Sequence, residues 1–214
     1  MKLTNIILLM AGCSFWPVQL WAETLDVEYK SFYSHVKKLD DPTTDALRFA
    51  FGFQHIAEKR LCHITSAQIV TQKQTLLLQV ENHHRFTVPT DKILKMAKAQ
   101  VVIELDDQAN RCDMSVQLET LPSFLKTQYR HDELMLLFNQ YQAFFDKMGG
   151  FLSFMMPSAE GLVFHFKPGE ELPESLHALV DENGGLALSK KWLSQENALT
   201  LPNKPLRITA IVEK

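Results

Sequence analysis

The sequence predicts an α+β, β-rich protein, with antiparallel sheets in one or two lobes packed around one long central helix. Three observations predict it. From residue 23 onward most segments place apolar residues at every second position, the period of a half-buried strand. One stretch, 130–148, instead repeats its apolar residues at three and four. With 14 phenylalanines and 46% hydrophobic residues, the chain has material for a packed core rather than a disordered segment.

Met1 to Ala22 reads as a cleaved export signal: Lys2, an apolar run from Ile6 to Trp16, the helix breaker Pro17, and Leu20 and Ala22 where a peptidase pocket reads the chain. Met10-Ala11-Gly12-Cys13 supports a second outcome, a lipobox acylated at Cys13. It would leave a mature end beginning with Phe15, Trp16 and Val18, an apolar tether where linkers are normally polar. An uncleaved anchor is a third outcome, but its apolar run falls short of the ~20 residues a spanning helix requires.

Leu25, Val27 and Tyr29 open the mature chain as a strand, and Phe32, Tyr33, Val36 and Leu39 return at helical spacing before Asp40-Asp41-Pro42. Leu47, Phe49, Phe51 and Phe53 line one side of the next strand. Residues 64–70 and 76–80 follow as strands, with Gln72-Lys73-Gln74 as their turn, and 86–88 is strand-like. Ala99, Val101, Ile103 and Leu105 are expected to form a hairpin with the strand Cys112, Met114, Val116, Leu118 across the polar loop 106–111.

The helix 130–148 places Asp132 and Glu133 in its first turn, where negative charge complements the dipole. Leu134, Leu137, Phe138, Tyr141, Phe145 and Met148 share its main face, with Leu136 and Phe144 outside it. Gly149 stops it and Gly150 lets the chain reverse into Phe151, Leu152 and Phe154. Leu162, Phe164 and Phe166 form a strand, Gly184-Gly185 a turn before Leu186, Leu188 and Trp192, and Leu206, Ile208, Ala210 and Val212 the inward set of the last strand.

One exported domain, 23–214, is therefore expected, with lobes 23–125 and 150–214 joined by the helix. Glu81-Asn82 before Phe86 is similar to Glu182-Asn183 before Leu186, but aligning the halves requires shifts of a residue or more, which weighs against a duplication.

Loss of Cys13 with the leader leaves Cys62 and Cys112 in an oxidising compartment, so one disulfide between them is expected; two buried thiols are the alternative. The mature chain carries 21 basic and 25 acidic side chains, and no basic stripe interleaved with aromatics, so nucleic acid is excluded as a partner.

The chain has no G-x-S-x-G elbow, H-E-x-x-H, P-loop or dinucleotide fingerprint. His83 and His84, after Glu81, are the first metal candidates, yet adjacent strand residues point to opposite faces. His55, Glu58, Cys62 and His63 would share a side only if helical, and a bridged cysteine is no thiolate ligand. His165 is expected on an exposed strand face and His131, beside Asp132, at the helix cap. The sequence thus assigns no catalytic residue, metal or cofactor.

Tyr29-Lys30 with Phe32-Tyr33 and Lys37, the separated Cys62 and Cys112, Gly149-Gly150-Phe151, and Gly161-Leu162-Val163-Phe164-His165-Phe166 together resemble a family of exported gammaproteobacterial proteins described only as a domain of unknown function. That resemblance implies periplasmic residence and supplies no activity.

Two function classes remain. The first is a noncatalytic periplasmic binding or accessory domain of the envelope, whose partner is an envelope protein or ligand and which meets the membrane only if lipidated at Cys13. It predicts an exposed apolar patch near Trp192 or Phe151 to Phe154. The second is a hydrolase or metal-dependent enzyme drawing on His55, His63, His83 or His84.

Overall fold

A computed structural model describes residues 23–149 and 158–212. The expected leader with Cys13 and Ala22, and the expected reversal at Gly150 and Phe151 to Phe154, lie outside the described residues. The architecture is α+β and β-rich, all strand pairs being antiparallel.

In the first half, β1 (Glu23–Glu28) runs into α1 (Tyr29–Val36), which buries Tyr29, Phe32 and Val36. Next come β2 (Leu47–His55), β3 (Ile64–Val70) and β4 (Thr75–Leu78), then a short α2 (Lys92–Met96), β5 (Gln100–Leu105) and β6 (Cys112–Thr120). Helix α2 was not expected from its apolar spacing; Asp91 starts it by accepting hydrogen bonds from the backbone of Ile93 and Leu94.

The expected hairpin between β5 and β6 does not form. Strand β5 is flanked by β1 and β3 in a sheet ordered β1-β5-β3-β4, while β6 pairs along its whole length with β2. The connecting loop is drawn elsewhere: Asp106 N–H donates to the His63 carbonyl at 3.1 Å and Ala109 N–H to the Glu23 carboxylate at 2.6 Å. A 3₁₀ turn over Ala109–Arg111 then delivers the chain to β2.

The second half comprises β7 (Gln128–Tyr129), α3 (His131–Gly149), β8 (Ala159–His165), β9 (Leu186–Ser189), α4 (Lys190–Leu193), β10 (Leu199–Thr200) and β11 (Arg207–Val212). Glu133 closes the start of α3 by accepting from Arg130 N–H at 3.0 Å. Helix α3 buries Leu134, Leu137, Phe138, Tyr141 and also Phe144, which meets Phe49 edge-on at 5.7 Å between ring centres. Phe145 and Met148, expected on the main face, are only partly buried, so the buried stripe is rotated toward Phe144. On β11 a register shift between Ile211 and Val212 turns Val212 outward, against the expected inward set.

The pairings of the second half repeat those of the first. Strand β7 pairs with β10 as β1 does with β5, and β8 pairs with β11 as β2 does with β6. Between them lie two matching loops, one closed by the bridge Val80 to Phe86 and the other by Val180 to Leu186. In each, the second residue's N–H reaches the sixth residue's carbonyl: Glu81 to Arg85 at 2.7 Å, Asp181 to Gly185 at 2.8 Å. His84 and Gly184 hold the same left-handed position, with φ of 57° and 78°. The β3–β4 hairpin is extra to the first half. The repeat is thus one of topology, offset by a residue from the similarity visible between Glu81-Asn82 and Glu182-Asn183.

The core gathers Phe32, Phe51 and Phe86, with ring centres 5.0 to 6.2 Å apart, and extends to Leu162, Phe164, Leu186, Leu188 and Ile208. Among the described residues no helix is long and apolar enough to cross a membrane.

Candidate functional site

Strands β2 and β6 form a two-stranded ribbon with one apolar and one polar face. Phe49, Phe51 and Phe53 lie on the first; Arg48, Ala50 and Gly52 alternate with them, opposite Glu119, Gln117 and Ser115. The polar face is covered by the loop 80–86. A Cβ on Gly52 would stand 3.0 Å from the His84 carbonyl oxygen and 3.3 Å from Arg85 Cγ, so glycine permits the close approach. Alternate loop residues Glu81, His83 and Arg85 join that face, and β11 brings in Arg207.

Arg48 is the hub. Its guanidinium reaches Glu81 Oε1 at 2.6 Å and Oε2 at 2.9 Å, and Glu119 Oε1 at 2.6 and 2.9 Å. Glu119 has no exposed side-chain surface. Burial pushes its carboxyl up, against the downward pull of Arg48, while Arg48 itself is held charged by two carboxylates that outweigh its own burial.

Arg85 lies over the ribbon, donating to the Ala50 and Ser115 carbonyls at 3.3 Å and to Ser115 Oγ at 3.2 Å. Burial, then Arg207, lowers its pKa. His83 Nε2 stands 3.3 Å from Glu81 Oε2, and burial lowers its pKa, with Arg207, Arg85 and Arg48 adding to the effect. Four polar atoms of the cluster are buried without a hydrogen-bond partner: His83 Nε2, Arg85 Nε, Glu119 Oε2 and Arg207 Nε.

The cluster has entry at one side. The Glu81 and His83 side chains are 25% and 17% exposed. Arg48 also lines a neighbouring cavity of 340 Å³ with Asp40, Asp45, Thr87 and Val88.

The other candidates are dispersed. His55 ends β2 and accepts from Glu58 N–H through Nδ1 at 3.1 Å, while Cys62 is joined to Cys112 in a disulfide and His63 pairs with Asp106 at 2.7 Å. The stretch is not helical, so these residues form no common ligand set. His83 and His84 diverge as adjacent residues should, the latter meeting His63 at a tilt, with ring centres 4.3 Å apart. His165 corrects the expectation of a surface position: it shares a hydrogen bond with Thr209 Oγ1 at 2.9 Å, and burial, then Arg207, lowers its pKa to about 4. His131 opens α3, but the capping bond there belongs to Glu133.

The apolar patch is not formed around Trp192, which packs against the core. Its other expected location, Phe151 to Phe154, lies outside the described residues. The most exposed large apolar side chains among the described residues are Leu77, Ile93 and Met96, at 84, 74 and 73%.

The family described as "Protein of unknown function (DUF2987)" matches residues 21–166. The chain belongs to the DUF2987 family. No curated protein and no solved structure matches it. Within the DUF2987 match lie Arg48, Glu81, His83, Arg85, Glu119 and both cysteines, whereas Arg207 lies beyond it. Arg48, Arg85 and Glu119 escaped the sequence reading because alternation alone puts them on a solvated face. The available signal was the pattern Glu81-x-His83-x-Arg85, three chemically active residues on one parity.

Proposed function

We propose that this DUF2987 protein is exported to the periplasm and acts there as a noncatalytic binding or accessory domain of the cell envelope. One observation carries the compartment: Cys62 and Cys112, both buried, are disulfide-bonded. Thiols of cytosolic proteins stay reduced, whereas exported domains use such bridges as staples. The export-signal pattern of Met1 to Ala22 supports the same reading, in which helix α3 joins β-rich lobes 23–125 and 150–214 of one exported domain.

The binding role is supported by the enclosure of the polar cluster. Glu119, covered by the loop 80–86, and Arg85, which that loop turns inward, are both buried beyond reach of a peptide or sugar, and chemistry on a substrate requires its reacting atoms within hydrogen-bond distance of the catalytic group. A hydrolase would have to open that loop.

Intact mass of protein isolated from its own envelope tests the proposal. The expected mass is that of residues 23–214 less two hydrogens. A lipid increment on a chain beginning at Cys13 would move the protein to the outer membrane as a lipoprotein. Recovery from the cytosol with the leader present and both thiols alkylatable in the folded state would overturn it.

A further inference from the structure

We propose that Glu81, His83 and Glu119 form a binding site for one divalent first-row metal ion, zinc being the probe of choice. One ligand atom from each residue lies within 4.8 Å of the other two. The 3.3 Å between His83 Nε2 and Glu81 Oε2 makes no hydrogen bond, yet it matches the ~3.3 Å edge of a tetrahedron whose ligands stand about 2.0–2.1 Å from the metal.

Two of the three ligand atoms, His83 Nε2 and Glu119 Oε2, are buried and have no hydrogen-bond partner. Leaving a buried carboxylate oxygen unsatisfied is costly. Both atoms are buried, and each offers a lone pair that a metal ion can take up. Arg48 holds Oε1 of Glu81 and of Glu119 at 2.6 Å and also donates to Glu81 Oε2 at 2.9 Å, so Glu119 Oε2 is left free toward the metal position while Glu81 Oε2 would be shared between the guanidinium and the ion; ligating carboxylates are commonly fixed by such outer partners.

The second half of the fold supplies an internal comparison. The same loop geometry at 180–186 is built with Asp181, Asn183, Gly184 and Gly185, so the turn needs neither an imidazole nor an arginine. His84 even occupies a left-handed position that glycine takes more readily. An acid stands at the second position of both loops, and Asp181 caps its own turn by accepting from Asn183 and Gly185 N–H, so it is the residues at 83 and 85 that serve something other than the turn. Charge limits the affinity: the two carboxylates already pair with Arg48, and Arg48, Arg85 and Arg207 all repel the ion, so binding will be weaker than in structural zinc sites.

The experiment uses the oxidised full chain, stripped by a chelator and titrated with Zn²⁺ in competition with a chromophoric chelator. One ion per chain is expected, with Co²⁺ giving the visible absorption of a low-coordinate site. His83→Ala, at a partly exposed position, should raise the dissociation constant at least about tenfold, and Glu81→Gln likewise, with thermal melts confirming that both fold. His63→Ala and His84→Ala, at the separate imidazole pair, should leave it unchanged. Absence of Zn²⁺ binding to the folded wild type would overturn the site, as would retention of full affinity by folded His83→Ala or a loss that follows His63 or His84. None of these outcomes depends on where the protein resides, so they are separable from the test of export.

Discussion

The Tyr141 hydroxyl donates to the Ile208 carbonyl at 2.7 Å and lies 3.2 Å from Thr120 Oγ1, joining α3 to the ends of strands from both halves of the fold. Burial pushes its pKa up, so it is a neutral donor at any ordinary pH. Tyr141→Phe keeps the ring and removes the bond, leaving a buried carbonyl unsatisfied. Equilibrium urea unfolding should show a loss of about 1–3 kcal/mol; an unchanged midpoint would mean that the hydroxyl contributes nothing to holding the halves together.

The Cys62–Cys112 bridge closes a separation of 50 residues and fastens the segment after β2 to the start of β6. In the chain-entropy treatment it stabilises the fold by about 4 kcal/mol. Denaturation with and without reductant measures this. The double variant Cys62→Ala, Cys112→Ala should unfold earlier than the oxidised wild type and show no response to reductant.

Gly161 on β8 is required by space. A Cβ there would stand 2.2 Å from the Leu188 carbonyl oxygen and 2.8 Å from Ile211 Cδ1. Backbone cannot yield as a side chain does, so Gly161→Ala should cost about 3 kcal/mol, the upper end of overpacking. Gly184→Ala meets no atom within 4 Å and is strained only by φ of 78°, for about 1 kcal/mol. Thermal melts of the two variants should rank in that order.

His165 sets part of the acid sensitivity. Its folded pKa of about 4 lies below the ~6.5 of an unfolded histidine, so the unfolded state binds the proton first. The stability it contributes is complete above pH ~6.5, falls as the pH drops toward 4, and levels off below. The loss is of the order of 3 kcal/mol. His165→Gln should flatten that part of the stability profile; an equally steep profile in the variant would assign the acid sensitivity to other groups.

Much of the chain's local structure was legible because it rests on local periodicity. The alternation of Phe49, Phe51 and Phe53, the three-four spacing of Leu134, Leu137, Phe138 and Tyr141, and the cysteine pair each survive into the fold. Strand partners were not legible. Strand β5 reads as an equally good neighbour of β6, and what diverts the chain is long-range: the ladders of β5 with β1 and β3 and of β6 with β2, aided by Glu23 reaching across to Ala109 and His63 to Asp106. The site appeared only in part, through Glu81 and His83, for a related reason: Arg48 and Glu119 stand 33 and 38 positions from Glu81, and alternation reports that a residue faces away from one core without reporting what covers the other side.

By itself the sequence determined the α+β composition of elements and most of the strand and helix positions, since each follows from neighbours along the chain; the Cys62–Cys112 bond was an expectation with two free thiols as its alternative, and the structure forms it. The tertiary structure alone decided that the two halves share one topology and that the polar face of β2 and β6 is closed over by the loop 80–86. Those outcomes depend on contacts between distant segments. There, burial converts an ordinary charged strand face into an enclosed cluster whose carboxylates, imidazole and guanidinium groups must satisfy one another or hold an ion.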